Sequence, residues 1–161
     1  MRPAQNGGIV IIFTFFAALI LTIIPLPGWI ADIRPDWTLL VLIYWCMALP
    51  ERIGVGIGWL VGLFMDVTLG GLLGQHALTF CIIAYLTLKL HKRVRVFPLW
   101  QQALTVLILL ALHKILMLWV DGLIGLQVDV WLYWLPSITS MLIWPVVYLV
   151  LRSIRRSFRV T

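Results

Sequence analysis

The residue whose position most demands a chemical role is Asp66. It lies in a glycine-rich stretch where Gly54, Gly58, Gly62, Asp66, Gly70 and Gly74 recur at every fourth position. A carboxylate deep in an apolar run costs about 3 kcal/mol on membrane-insertion scales, and such groups normally face protein or a wet cavity. Lys114, inside another apolar run, is the natural complement. Counted from the ends of their runs at about 1.5 Å per residue, the two depths differ by roughly 5 Å. This predicts an intramembrane Asp66–Lys114 pair, direct or bridged by water. Two other readings stay open. In one, Lys114 snorkels outward while Asp66 is protonated or caps a break near Gly70. In the other, the pair belongs to a proton relay, although only His113 is near enough to extend one.

Other chemistry finds little to build on. There is no G-x-S-x-G nucleophile turn, no H-E-x-x-H pair and no glycine-rich phosphate loop ending in Lys-Ser or Lys-Thr. A carboxylate dyad needs two acids at one depth, and only Asp66 sits deep within a run, Asp36 and Asp121 lying toward the ends of theirs. No catalytic residue is therefore expected. His76, His91 and His113 share no ligand spacing, so no metal is expected. No cofactor is implied. Cys46 and Cys81 stand alone in apolar runs and read as small apolar side chains.

The glycine row reads as a surface for close approach. Four residues overshoot one helical turn by roughly 40°, so the row winds slowly around its helix. A small-xxx-small pattern lets a second helix come near. The expected occupant is either another helix of this chain or a helix of a partner.

Composition sets the frame that must position these residues. Of 161 residues, 63% are hydrophobic and 11% charged, against about 45–50% and about 25% in a soluble domain. A chain this short cannot hide that excess in one core. Six apolar runs of suitable length read as spanning helices, at about residues 9–29, 36–49, 53–74, 77–90, 99–126 and 130–151. The expected fold is therefore an all-α integral membrane protein, a single domain formed by a bundle of six transmembrane helices. The second and fourth runs are short, and a re-entrant hairpin within the second to fourth runs would leave four true spans. Pro25 and Pro27 interrupt the end of the first run, which reads as an uncleaved anchor because Trp29 occupies the place a signal cleavage site reserves for a small residue.

Charge orients the bundle. Arg2, Arg52, a basic loop of Lys89, Lys92, Arg93 and Arg95, and a tail of Arg152, Arg155, Arg156 and Arg159 fall on one side. Arg34 falls on the other with Asp32, Asp36, Asp121 and Asp129. Lys and Arg collect on the cytoplasmic side, which places both termini in the cytoplasm. The basic loop and tail then set orientation or meet anionic lipid or a cytoplasmic filament. Nucleic acid is not an expected partner.

Several segments together carry a family resemblance. Arg34-Pro35-Asp36-Trp37, Tyr44-Trp45 and Ala48-Leu49-Pro50 bracket the second run. Leu63, Asp66, Gly70 and Gly74 follow in the third, then Tyr85, then Leu99-Trp100-Gln101-Gln102. In order and spacing the chain resembles the rod shape-determining MreD family over essentially its whole length. The resemblance implies a multi-pass protein of the bacterial cytoplasmic (inner) membrane, non-catalytic, acting as a scaffold of cell elongation and peptidoglycan synthesis. It implies MreC as the direct partner, through that protein's single membrane helix. MreB, RodA and the elongation penicillin-binding transpeptidase would be indirect partners. It also implies a fold similar to the substrate-binding subunits of energy-coupling-factor vitamin transporters. Hence the alternative function, a small-molecule-binding transporter subunit with a pocket lined by Asp66, Thr68 and Tyr85.

Overall fold

The computed structural model describes residues 7–160; Arg2, assigned above to the cytoplasmic side, lies outside them. The described residues are all-helical: α1 (Gly8–Ile23), a short α2 (Gly28–Asp32), α3 (Trp37–Ala48), α4 (Val55–Leu69), α5 (Gln75–Val94), α6 (Leu99–Ile124) and α7 (Val130–Ser157). α6 and α7 are long and apolar enough to cross a membrane.

Prolines and glycines set the boundaries. α1 stops at Ile23, six residues before the end of its apolar run, because Ile24 precedes a proline and is driven out of the helical region. The Arg34 guanidinium folds back over that end and donates to the Thr22 and Ile24 carbonyls. α3 starts after Pro35 and ends before Pro50. α4 ends at Leu69, since Gly70 takes the left-handed conformation (φ 68°) that terminates a helix. Residues Gly70–Gly74, expected to be helical, form the turn into α5. α5 runs four residues beyond its expected end, into the basic segment, and α7 runs through Pro136 and Pro145 to Ser157.

α3 is the centre of the molecule. Every side chain from Thr38 to Ala48 is buried, and α1, α5 and α7 all pack on it. A helix apolar on all sides is stable only when covered on all sides. At about 18 Å it is too short to span the roughly 30 Å of a bilayer's hydrocarbon alone. Its neighbours supply the cover that its length does not.

Candidate functional site

The α4–α5 hairpin is the tightest pairing in the fold, and the glycine row explains half of it. Gly54 faces Leu88, Gly58 faces the Phe80 carbonyl and Ala84, and Gly62 faces the backbone of Ala77. That order is antiparallel. A methyl group at Gly62 would lie 2.4 Å from the Ala77 Cα, closer than any real contact, so only hydrogen fits there. The row does not continue as expected. Gly70 and Gly74 (φ 68° and 99°) sit in the turn with open space around them. They shape the chain and do not pack a helix. The seam is filled by α5 and leaves no room for a partner helix.

Asp66 closes the other end of the hairpin. Its buried carboxylate accepts hydrogen bonds from the Gly74 N–H (2.8 Å), the His76 N–H (2.9 Å) and the Ala77 N–H (3.4 Å). His76 Nδ1 lies 2.9 Å from the same group. The first turn of any helix presents N–H groups with no partner inside it, and a side-chain oxygen at the N-cap ordinarily takes one. Here the N-cap residue is Gly74, which has no side chain. α4 supplies the carboxylate instead, at the positive end of the α5 dipole.

The expected Asp66–Lys114 pair is therefore corrected. The apolar run through Gly74 puts Asp66 mid-helix, whereas α4 ends at Leu69 and Asp66 occupies its last turn, beside the turn it caps. Lys114 turns to Asp36, with Nζ 3.7 Å from Oδ2, and sits 4.8 Å from the centre of the Tyr133 ring. The Asp36 N–H in turn donates to Ser140 Oγ (2.9 Å), tying the start of α3 to α7. Gln75 donates to Asp121 across to α6 (2.8 Å). Sequence reading missed this second polar layer, although Asp36 stands at the end of its run where a helix from another part of the chain can reach it. His113 is also buried there, 6.1 Å from His76 between ring centres. A cavity of about 30 Å³ lies among Thr22, Asp36, Thr38, His76 and His113, room for about one water molecule. It cannot hold a metabolite. The residues expected to line a ligand pocket also diverge: Thr68 is exposed and bonded to the Phe64 carbonyl, and Tyr85 lies under the Lys89 ammonium.

The open surface lies on the opposite side of α4. α1 and α4 make few contacts, and between them runs a groove of about 370 Å³. Ile12, Phe15, Phe16 and Leu19 of α1 form one wall, Ile57, Leu60 and Phe64 of α4 the other. Phe16 and Phe64 are about 60% exposed. Among the basic residues, Arg95, Arg152 and Arg155 share one pocket. Lys92 and Arg93 occupy the last turn of α5, while Arg156 and Arg159 lie at and beyond the end of α7.

Comparison with known proteins identifies the family. Residues 4–154 match the family described as rod shape-determining protein MreD. The chain is 34% identical over 149 residues to the rod shape-determining protein MreD of Haemophilus influenzae, covering 92% of each chain. No solved structure matches it, so the expected likeness to vitamin-transporter subunits gains no support there. The chain belongs to the MreD family, whose members are membrane-associated shape-determining proteins.

Proposed function

From that membership we propose that the chain is a multi-pass scaffold of the cytoplasmic membrane, with both termini inside, that receives the single membrane helix of MreC in the groove between α1 and α4. Through MreC it supports the elongation machinery of MreB, RodA and the penicillin-binding transpeptidase. The observation that carries this reading is the contrast between the two sides of α4. One side is packed shut on α5; the other presents a continuous apolar trough. Helices in lipid associate by van der Waals packing and gain little from apolarity alone. A preformed trough supplies the packing surface that a smooth helix lacks.

Trimming the walls tests it. Phe16→Ala with Phe64→Ala is expected to cut co-purification of MreC at least tenfold while the protein still accumulates in membranes. Ile108→Ala with Ile115→Ala removes comparable exposed bulk from α6 and is expected to leave co-purification intact. Equal retention or equal loss in both variants would refute the groove as the binding surface. The transporter alternative has no comparable feature in its favour, because the buried polar cavity is water-sized.

A further inference from the structure

Three arginines converge at the end of the bundle where α3 and α7 terminate. Arg95 follows α5, while Arg152 and Arg155 project from the last turns of α7. They line a cavity of about 310 Å³ with Tyr44, Tyr148 and Met47. The Tyr44 and Tyr148 rings meet edge to face, 5.7 Å apart, and Arg155 lies beside the Tyr44 phenol. No acidic residue lines the cavity. Among the described residues no carboxylate comes within ion-pair distance of any of the three guanidinium groups. Arg155 also makes a side-chain hydrogen bond with the Tyr44 phenol and a long one, 3.5 Å, from Nε to the Val160 carbonyl.

We propose that this pocket binds a phosphate group. Each guanidinium offers five N–H donors in a planar fork that matches two oxygens of a phosphate. Here three forks face one volume whose floor carries two phenols. Simple neutralisation of helix C-termini does not require this convergence; Arg93, Arg156 and Arg159 sit near the same helix ends without lining the cavity. A volume near 300 Å³ lies at the small end of ligand sites, which suits a phosphate headgroup better than a whole nucleotide. Two sources share this chemistry: the headgroup of an anionic phospholipid and a soluble phosphate compound. The lipid source rests on the multi-pass reading above, whereas the anion site does not.

Native mass spectrometry of the delipidated full-length protein separates these cases, with phosphatidylglycerol, phosphatidylcholine and inorganic pyrophosphate as probes. Phosphatidylglycerol is expected to bind in preference to phosphatidylcholine. Binding is expected to fall roughly a hundredfold in R95Q/R152Q/R155Q, at about 1 kcal/mol per arginine. R93Q/R156Q/R159Q removes the same charge from solvated positions outside the pocket, where salt screens it from the bound group, and is expected to cost less than about threefold. R95K/R152K/R155K keeps the charge without the forks and is expected to fall between them with an unchanged thermal midpoint, which covers the case of a glutamine variant that fails to fold. Pyrophosphate that binds and displaces the lipid assigns the site to soluble phosphates; lipid binding that pyrophosphate does not disturb assigns it to the headgroup. Equal losses in the two glutamine variants, or no preference for either anionic probe over phosphatidylcholine, whose phosphate is neutralised by its own choline, would overturn the proposal.

Discussion

The two sides of α4 share one helix, one length and one depth, yet they do opposite things. Toward α5, Gly58 and Gly62 bring backbones together and Asp66 ties down the neighbouring helix terminus. Toward α1, Leu60 and Phe64 stand away from their neighbours and leave a trough. The difference lies in side-chain size. Hydrogen in place of a side chain admits a second backbone and every dispersion contact that follows; a row of bulky side chains holds the next helix off. A helix so fixed on one side can offer the other to a partner without itself rearranging. In α4, rigidity and availability are therefore two faces of one sequence.

The sharpest way to break the contrast is a single methyl group. Gly62→Ala puts a Cβ onto the Ala77 backbone, and since backbone cannot rotate aside the hairpin must separate. A loss of at least about 3 kcal/mol is expected, beyond the usual cost of overpacking, read as a large fall in thermal midpoint in detergent. An unchanged midpoint would mean that α4 and α5 do not meet at this glycine. Asp66→Ala comes next. It leaves the partly buried N–H groups of Gly74 and His76 without their acceptor, for about 1–3 kcal/mol. Amide exchange over residues 74–77 should accelerate before that of α6. If exchange rises evenly across the protein, Asp66 is not the cap of α5.

How much of this was legible in the sequence follows from the range of each interaction. The helices were, because apolar runs and prolines are local signals; each of the six runs holds one main helix beside the short α2, with errors where Gly70 and Pro25 ended a helix earlier than hydrophobicity did. The packing role of Gly58 and Gly62 was legible too, since spacing by four is written in the chain. Gly70 and Gly74 keep the same spacing but not the role, because left-handed backbone ends α4 at Gly70 and stands before the start of α5 at Gly74. The partner of Asp66 was not legible as an ion pair. Depth counting treats helices as parallel rods and cannot see a turn folding back on its own aspartate. Lys114 shows the converse. Its partner, Asp36, stands at the end of its run on the side that charge marks as outer, and nothing local in the sequence shows that α6 reaches it there. The convergence of Arg95 with Arg152 and Arg155 depends on how α5 and α7 sit against α3, which no local pattern encodes.

The smallest effect is also the one most specific to the contrast. Gly56 lies within α4, two residues before Gly58, and a Cβ built there meets nothing within 4 Å. Alanine in a helix interior is favoured over glycine by roughly 0.5–1 kcal/mol, because the unfolded chain has less freedom to lose. Gly56, the second residue of α4, falls at or below the lower end of that range. Gly56→Ala is therefore expected to raise the thermal midpoint slightly, where the same methyl six residues on lowers it steeply. Opposite signs for one chemical change on one helix cannot come from helix propensity, which favours alanine over glycine at both positions. They can come only from what each position faces. If both substitutions destabilise, Gly56 is covered by something the isolated chain does not contain, and co-expression with MreC is the first condition under which to repeat the measurement.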